Sequence, residues 1–372
     1  MKYFIIAGEA SGDLHASGLA REIFLRDPSA QMKGWGGNLM KSEGVVISKH
    51  YKDLAFMGFA EVIKNLPTIF RNFRCCMSEI QEFNPDAVIM IDYPGFNLRM
   101  AKKIHEAGIK TIYYISPQIW AWKASRINQI KRNVDKMFVI LPFEKEFYKK
   151  YEMDVEFVGH PLLDALSRRK FIPENEFRET NGLDSRPKIA LLPGSRRQEI
   201  KAILPIMQSV LVGFSQYQFV IAGAPSINPE VYHEITGGKI PVVQGQTYTL
   251  IENSLAALVT SGTASLETAL LGTPQVICYK ASPISYHIAR QLVKIKYIGL
   301  PNLILDKPVV TELIQYHLNT GRLIKELDKL LHIETERKKM LADYHELRKA
   351  LGGNGASAKT AEGIIRFLDT KN

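Results

Sequence analysis

The chain has 372 residues, 46% hydrophobic and 23% charged, which is typical of a soluble globular protein and gives no indication of long disordered stretches. This length predicts two domains. No run approaches the roughly 20 apolar residues that a transmembrane helix needs, so we expect a protein that does not cross a membrane. The formal charge of +10 favours an anionic partner, whether a nucleic acid, a phosphorylated substrate or a membrane, although a basic soluble enzyme without such a partner is also compatible with it.

Cysteine content and motif content exclude several classes of protein. Cys75, Cys76 and Cys278 are too few and too irregularly spaced for a disulfide framework or a metal site, and they fit a reducing cytosol. The apolar run Tyr3–Ala7 is too short for a signal peptide and predicts a buried strand. The phosphate-binding pattern GxxxxGK[ST], the dinucleotide pattern GxGxxG and the metal patterns HExxH and CxxC do not occur, so we expect no cofactor and no metal.

Short apolar runs alternate with helical patterns, which predicts parallel α/β sheets in both halves of the chain. The predicted strands of the first half are Tyr3–Ala7, Ala87–Ile91, Thr111–Ile115, Lys136–Ile140 and Glu156–Val158. Those of the second half are Lys188–Leu192, Gln218–Ala222, Pro241–Val243, Ala257–Thr260 and Gln275–Ile277. The polar stretch from Asp164 to Arg186 predicts a linker, and Ser357–Leu368 predicts a final amphipathic helix.

A glycine-containing loop follows the first predicted strand of the second half. Gly194, Ser195 and Arg196 come directly after the apolar run that ends at Leu192. Backbone amides in such a turn can approach an anion, and the guanidinium of Arg196 suits a phosphate. Taken alone, the pattern fits an ordinary turn with a surface arginine equally well.

A second loop of small residues follows the strand Ala257–Thr260 and opens a predicted helix. Its residues are Ser261, Gly262, Thr263 and Ala264. Open N–H groups and the helix dipole at such a start favour a diphosphate. Glu267, one turn into the helix, is placed either to bind ribose hydroxyls or to serve as a capping or ion-paired residue. Two such loops in one half, with an acid, predict a site for a nucleotide diphosphate.

Acidic residues follow two strands of the first half. Glu9 and Asp13 lie in the loop after Tyr3–Ala7, where we expect Asp13 to cap the following helix. Asp92 follows Ala87–Ile91 and is held by a Pro-Gly turn, which makes it a candidate general base. Glu9 is a weaker catalytic candidate. Next in the chain, Trp120 and Trp122 are expected either to line a sugar or lipid site or to pack in the contact between the two domains.

Three isolated polar residues carry weaker signals. His15 and His160 have no neighbours with ligand spacing, and we interpret them as structural. Asn302 follows an apolar, basic segment and either reaches a ligand or caps a turn.

An amphipathic segment lies between residues 59 and 73. Its apolar positions recur with helical spacing at Phe59, Val62, Ile63, Leu66, Ile69, Phe70 and Phe73. Pro67 breaks a continuous helix, so we expect a second helix to start there. From the pattern alone, a stripe that faces the core is favoured over a helix that lies in a membrane interface.

Eight short motifs, taken in chain order, resemble those of the lipid-A-disaccharide synthase family. They are GEASGD (Gly8–Asp13), IDYPGFN (Ile91–Asn97), SPQIWAWK (Ser116–Lys123), LPFEKEFY (Leu141–Tyr148), FVGHP (Phe157–Pro161), LLPGSR (Leu191–Arg196), SGTASLE (Ser261–Glu267) and LPN (Leu300–Asn302). GEASGD and SPQIWAWK are specific to that family, whereas PGSR and SGT followed by a helix recur among nucleotide-sugar transferases.

The resemblance implies a GT-B fold, with two Rossmann-like domains that face each other across a cleft. It implies a metal-independent, inverting enzyme that joins UDP-2,3-diacylglucosamine to 2,3-diacylglucosamine 1-phosphate by a β-1,6 bond and releases UDP. Asp92 matches the family's candidate base, Arg196 and Glu267 match donor contacts, and Asn302 matches another functional polar position. The 59–73 segment matches the family's membrane-contact region, which reverses the preference for a core-facing stripe.

We expect an N-terminal domain over residues 1–165 that binds the acceptor and faces the membrane, and a C-terminal domain over residues 186–349 that binds the UDP-sugar. A helix over residues 350–372 is expected either to pack back on the N-terminal domain or to exchange between subunits. By resemblance, the protein works at the cytoplasmic face of the inner membrane, where it contacts an anionic surface. A homodimer is a further expectation, and nucleic-acid binding is not expected. The alternatives are another UDP-sugar enzyme of this fold, either an epimerase or a peptidoglycan-type transferase, and a non-catalytic module that binds nucleotide sugars or lipids.

Overall fold

The computed structural model describes residues 1–54, 66–122, 124–283, 286, 290 and 295–370, and they form two compact units. One unit comprises Met1–Arg169 together with the C-terminal residues from Leu351 onward, and the other comprises Lys170–Ala350. Each unit is a parallel sheet with helices, so the predicted α/β class with two Rossmann-like domains of the GT-B type is confirmed.

The N-terminal unit is built on a seven-stranded parallel sheet with the order β3-β2-β1-β4-β5-β6-β7. Its strands are β1 Lys2–Ala7, β2 Gln31–Gly36, β3 Val46–His50, β4 Ala87–Ile91, β5 Lys110–Tyr114, β6 Lys136–Val139 and β7 Glu156–Phe157. The central strands β1 and β4 are almost entirely buried because helices cover both faces, which explains their continuous apolar sequences.

The second unit is built on a six-stranded parallel sheet with the order β10-β9-β8-β11-β12-β13. Its strands are β8 Lys188–Leu192, β9 Gln218–Gly223, β10 Val242–Gln244, β11 Ser254–Thr260, β12 Gln275–Tyr279 and β13 Thr311–Ile314. Both sheets reverse their strand order beside the first strand of the unit, which is where open α/β sheets bind ligands.

Helices connect most of these strands. Those of the first unit are α1 Ala10–Arg26, α2 Asn38–Ser42, α3 Leu66–Phe83, α4 Pro94–Glu106, α5 Ile119–Trp122, α6 Ile127–Asn133, α7 Pro142–Lys149 and α8 Pro161–Arg168. Those of the second are α9 Glu174–Thr180, α10 Arg197–Ser209, α11 Glu230–Thr236, α12 Thr247–Glu252, α13 Thr263–Leu270, α14 Leu300–Leu305, α15 Thr320–His332 and α16 Glu334–Ala350. The final helix, α17 Ala356–Asp369, returns to the first unit.

The stretch predicted as a linker contains helical structure. The end of α8 and all of α9 lie within Asp164–Arg186, and Phe177 of α9 is fully buried in the core of the second unit. Charged residues there form the solvent-facing side of short helices, which is why their sequence lacks the signature of a core element. No helix among the described residues is long and apolar enough to span a bilayer.

The helix α17 is held against α1 and α8 by Asp164 of α8. The Oδ1 atom of Asp164 accepts from the backbone N–H of Gly355 at 2.5 Å, and its Oδ2 atom accepts from that of Ser357 at 2.8 Å. Asp164 as a residue is only 5% exposed. A buried carboxylate thus caps the start of the returning helix and ties the end of the chain to the first unit.

Candidate active site

In the first unit, the loops that carry Glu9 and Asp92 leave the sheet side by side. The ladder pairs Ala7 of β1 with Ile91 of β4, and it pairs Ile91 with Tyr114 of β5. Because these strands are parallel, the residues that follow them emerge at the same edge of the sheet. The structure therefore brings together the two acids that the sequence predicted in this half.

The backbone at Asp92 has a left-handed conformation that non-glycine residues rarely adopt. The φ angles are +45° at Asp92 and +48° at Tyr93, and the β-branched Ile115 at the end of β5 has φ +66°. The Asp92 carbonyl accepts hydrogen bonds from Asn97 Nδ2 at 2.8 Å and from the Tyr113 hydroxyl at 2.6 Å. Such strain persists where surrounding contacts enforce it, and it concentrates at functional sites.

The carboxyl group of Asp92 has a pKa raised from 3.8 to about 7. Burial is the largest cause, and repulsion by the negative charges of Glu9 and Glu144 adds to it, while the Tyr93 backbone amide opposes it. A carboxylate whose pKa lies near the working pH is matched to accept a proton from a hydroxyl group.

The ring of Tyr93 packs directly on the backbone of the GEASGD motif. A Cβ atom at Gly8 would lie 2.3 Å from Tyr93 Cδ1, so only glycine fits there. The same ring stacks on Phe96, with 5.6 Å between centroids. These contacts hold Tyr93, the residue next to Asp92, in place. They also explain why position 8 requires glycine, which the sequence alone does not reveal.

A third acid, Glu144 near the start of α7, was not predicted as a site residue. It is 1% exposed and accepts hydrogen bonds from Ser116 Oγ at 2.7 Å and from Trp120 Nε1 at 3.3 Å. Its signal in the sequence is the helix-start pattern LPFE. In this pattern proline is the first residue of the helix and the acid is the third. Trp120 was predicted either to contact a ligand or to pack within the protein, and its indole N–H is bonded to Glu144.

Asp13 caps a helix, but a different one from the helix that was predicted. Its carboxylate accepts hydrogen bonds of 2.8 to 3.1 Å from the backbone N–H groups of Gly37, Leu39 and Met40. These N–H groups lie at the start of α2. The expectation that it caps the helix of its own motif is wrong, because Asp13 lies inside α1 and points toward the β2–α2 loop. The side chain is 2% exposed, which favours a structural role.

The two histidines are buried neighbours, with ring centroids 6.3 Å apart. Burial lowers the pKa of His15 to about 4 and that of His160 to about 3, so both rings are neutral near pH 7. His160 Nδ1 accepts from the Leu162 backbone N–H at 3.2 Å and so caps α8. In the described part of the chain, no three His, Cys, Asp or Glu side chains converge on a point where they could hold a metal ion.

In the second unit, the two predicted phosphate loops lie next to each other. β8 and β11 are neighbours, with Leu192 paired to Val259. Gly194, Ser195 and Arg196 connect β8 to α10, whereas Ser261 and Gly262 connect β11 to α13, whose first turn contains Thr263 and Ala264. Gly262 has φ +147° and leaves the first amides of α13 open. Two helix starts therefore point to one edge of the sheet, as a diphosphate site requires.

Charged side chains flank these loops. Arg196 is exposed, and its Nη1 donates to Glu199 Oε1 at 2.9 Å. Glu267 is partly buried in α13 and accepts from the Tyr248 hydroxyl at 2.9 Å, and burial raises its pKa. The Tyr248 contact orients one carboxylate oxygen of Glu267, in the manner needed for a fixed contact to a diol.

Asn302 has a structural role, which corrects the prediction of a donor contact. Its Nδ2 donates to the Val310 carbonyl and to Glu312 Oε1, both at 2.8 Å, and its Oδ1 accepts from the Val310 N–H at 2.8 Å. With 1% exposure, the side chain has no surface left for a ligand. Glu312 also accepts from the Gly299 N–H at 2.9 Å, so the pair braces the loop that precedes α14.

The braced loop contacts the second phosphate loop. The hydroxyl of Ser261 donates to the Ile298 carbonyl at 3.0 Å, and Glu312 Oε2 accepts from the Ile298 N–H at 3.1 Å. Asn302 and Glu312 are therefore linked to Ser261 of that loop through the Ile298 backbone.

The predicted membrane stripe divides into three parts. Phe59, Val62 and Ile63 lie outside the described residues, and Leu66 begins α3. Phe70 is 61% exposed. Phe73 is 6% exposed and stacks on Phe96 at 4.5 Å, so for this residue the prediction of a membrane contact is wrong. Ile69 is partly buried and packs against the same core. The helical spacing of apolar residues does not by itself show which of them face the core, as Phe73 does, and which are exposed, as Phe70 is.

Comparison with known proteins connects this arrangement to a family. The family model described as lipid-A-disaccharide synthetase matches residues 3–364. A relative named lipid-A-disaccharide synthase from Trichlorobacter lovleyi is 37% identical over 379 residues, covering 99% of this chain and 98% of that protein. A relative of the same name from Syntrophus aciditrophicus is 38% identical over 366 residues, covering 96% of this chain and 95% of that protein.

Solved structures of low identity share the fold. A UDP-GlcNAc 2-epimerase from Neisseria meningitidis bound to UDP-GlcNAc has a TM-score of 0.69 at 14% identity, covering 98% of this chain and 100% of that one. The glycotransferase of kitacinnamycin has a TM-score of 0.65 at 13% identity and covers 98% of both chains. With the match to the family model over nearly all of its length, the chain belongs to the lipid-A-disaccharide synthase family and has the GT-B fold of glycosyltransferases.

Proposed function

We propose that this protein transfers the 2,3-diacylglucosaminyl group of UDP-2,3-diacylglucosamine to the 6-hydroxyl of 2,3-diacylglucosamine 1-phosphate, giving the β-1,6-linked disaccharide 1-phosphate and UDP. Membership of the lipid-A-disaccharide synthase family supports this choice of substrates. The structural observation that carries it is Asp92, a strained and partly buried acid at a strand end with a pKa of about 7.

Asp92 is the proposed general base. It accepts the proton of the acceptor 6-hydroxyl while that oxygen forms a bond to the anomeric carbon of the donor. The bond from this carbon to the diphosphate breaks in the same displacement, which inverts the configuration, and UDP departs with the electron pair. Glu9 is exposed beside Asp92, and its contribution is the negative charge that keeps the pKa of Asp92 high.

The paired loops of the second unit are the proposed binding site for the UDP group. The open amides at the start of α13 and the guanidinium of Arg196 stabilise the charge that develops on the leaving diphosphate. Glu267, oriented by Tyr248, accepts hydrogen bonds from the ribose hydroxyls. Since these groups are fixed before the reaction, they need little reorganisation, and no metal ion is part of the proposal.

The protein is further proposed to act as a peripheral enzyme on the cytoplasmic face of the inner membrane. The net charge of +10 favours anionic lipid. On α3, the exposed Phe70 is flanked by the exposed Arg71 and Arg74, which is the composition of an interfacial contact. A homodimer remains a prediction from the sequence.

The experiment combines the purified protein with UDP-2,3-diacylglucosamine, with and without 2,3-diacylglucosamine 1-phosphate, in detergent and EDTA. Release of UDP together with the disaccharide, only when both lipids are present, is the expected result. UDP release without the acceptor would indicate hydrolysis or epimerisation instead. Binding of the donor without any turnover would support a binding module, and loss of turnover in EDTA would refute metal independence.

A further inference from the structure

Glu144 is a buried acid that faces only hydrogen-bond donors. Its Oε1 accepts from Ser116 Oγ at 2.7 Å and from Trp120 Nε1 at 3.3 Å. Its Oε2 accepts from the backbone N–H groups of Ile140 at 3.1 Å and Leu141 at 2.9 Å. Each carboxylate oxygen thus has two donors, although the side chain is 1% exposed.

The direction of these hydrogen bonds bears on the charge of Glu144. Backbone amides and the indole of Trp120 donate only, so none of them can accept a proton from a neutral carboxyl group. The Tyr148 hydroxyl donates to Ser116 Oγ at 3.2 Å. The Ser116 hydroxyl has two acceptors within reach, Glu144 Oε1 at 2.7 Å and the Pro117 carbonyl at 3.3 Å, and the shorter distance favours Glu144. Burial raises the pKa of Glu144, but four donors favour its charged form. Three of the four donors cannot accept a proton, so the network favours the carboxylate form of Glu144.

The four bonds join the ends of β5, which lies next to Asp92, and of β6, the next strand of the sheet. Ser116 follows β5, whereas Ile140 follows β6. Beside them, the Asp92 N–H donates to the Tyr114 carbonyl of β5 at 3.2 Å. Glu144 thus holds in place the strand end that begins with the strained Ile115 and lies against Asp92.

Negative charges act on Asp92 from two neighbouring elements. Glu9 approaches from the loop after β1, and Glu144 approaches from α7. The other titratable neighbours are Tyr93, next in the chain, and Tyr113 of β5, both with a pKa raised chiefly by burial, so they carry no charge near neutral pH. Among these neighbours, Glu144 is the acid that is both buried and fixed by hydrogen bonds.

We propose that Glu144 is a positioning residue that fixes the loop from Ile115 to Trp120 as part of the acceptor-binding surface beside Asp92. The proposal rests on the proposed transfer reaction, in which Asp92 serves the acceptor. Glu144 does not touch the reacting atoms. It acts by placing the side chains of Trp120 and Ser116, and by contributing negative charge near the base.

The test is Glu144→Gln, which keeps the shape and removes the charge. Initial rates are measured with UDP-2,3-diacylglucosamine and 2,3-diacylglucosamine 1-phosphate between pH 5 and 9. We expect kcat/KM for the acceptor to fall about tenfold or more, while the KM of the donor changes less than about twofold. The acid limb of the pH profile should move to lower pH, because loss of a nearby negative charge lowers the pKa of Asp92. Glu146→Gln, an exposed acid of the same helix, is the matched control and should match wild type.

If Glu144 had only a structural role, its substitution would lower kcat/KM at every pH without moving the acid limb of the pH profile. A folded Glu144→Gln variant with wild-type kinetics for both substrates and an unmoved limb would refute the proposal. If that variant does not fold, Ser116→Ala and Trp120→Phe each remove one donor. Both should show the acceptor-specific loss to a smaller degree, and wild-type kinetics in both would overturn the proposal.

A measurement without turnover separates this proposal from the proposed function. In protein labelled with 13C at aspartate carboxyl groups, the resonance missing from Asp92→Asn belongs to Asp92, and its titration gives the pKa directly. Glu144→Gln should lower that pKa. If the wild-type protein is active but Glu144→Gln leaves the pKa of Asp92 unchanged, the inference alone is refuted. If Glu144→Gln lowers that pKa but the wild-type protein forms no disaccharide, the proposed function alone is refuted.

Discussion

The substitution Asp92→Asn should greatly reduce activity and at the same time stabilise the protein. The pKa of Asp92 is raised from 3.8 to about 7, so the folded state binds its proton more tightly than the unfolded chain does. The contribution of Asp92 to stability is therefore most favourable below pH 4, is lost as the pH rises from about 4 to 7, and stays at its lower value above pH 7. Asparagine, which carries no charge, removes this loss.

The magnitude follows from the shift in pKa. A change of about three pKa units at about 1.4 kcal/mol each gives an upper bound of about 4 kcal/mol. Because Asp92 is partly exposed, solvent screening reduces the expected gain to roughly 1–3 kcal/mol at pH 8. At pH 4 and below, the two proteins should unfold at nearly the same temperature. The enzyme would then show a gain in stability at the cost of function, as strained active sites often do.

The assays are thermal unfolding at pH 4 and pH 8, and the rate of disaccharide formation. We expect Asp92→Asn to raise Tm at pH 8 but not at pH 4, and to reduce kcat by about 100-fold or more, the usual contribution of a general base. UDP affinity should stay near the wild-type value. An unchanged kcat would remove Asp92 from the role of base, and an equal change in Tm at both pH values would refute the electrostatic explanation.

Three further substitutions test other parts of the structure. Gly8→Ala should displace the ring of Tyr93 and lower kcat by about tenfold or more, because its Cβ would lie 2.3 Å from that ring; wild-type kinetics would refute the close contact. Tyr248→Phe should raise the Kd for UDP about threefold to tenfold in calorimetry, since it frees Glu267; an unchanged Kd would contradict the ribose contact. Asp164→Asn should cost about 1–3 kcal/mol of unfolding free energy in urea, because one buried oxygen no longer accepts from α17, and a neutral effect would show that this cap is dispensable.

The central strands could be predicted from the sequence because they are buried on both faces and are therefore continuously apolar. The strands β2, β3 and β13 were missed, since their sequences contain glycines or alternate with polar residues. Gly34 in β2 illustrates the reason: a Cβ there would lie 2.0 Å from the Ile5 carbonyl oxygen, so the close approach of two strands required glycine where propensity argues against a strand.

The candidate site was predictable where a residue follows a strand directly, as Asp92, Arg196 and Ser261 do. Position along the chain is enough there, because parallel strands end at a common edge. Asn302 and Asp13 show the limit of this reasoning. Both are polar residues in family motifs, but their partners lie on other elements, and the sequence does not reveal that those partners satisfy them fully.

Glu144 was overlooked for a related reason. As a residue near a helix start, it has the position of an ordinary cap, and its bonds to Ser116 and Trp120 come from a loop more than 20 residues earlier. Only the packing of β5 beside β6 brings these groups together. Long-range polar networks of this kind depend on tertiary structure and leave no periodic signal in the sequence.

The most direct test of the account is the pH dependence of disaccharide formation by the wild-type protein, measured as kcat/KM for 2,3-diacylglucosamine 1-phosphate at saturating donor. If Asp92 is the base, the rate should rise with an apparent pKa of about 7 and fall about tenfold for each pH unit below it. The acid limb should be absent from the residual activity of Asp92→Asn. A wild-type rate that is constant from pH 5 to pH 8, or an acid limb that persists in Asp92→Asn, would contradict the assignment of the base.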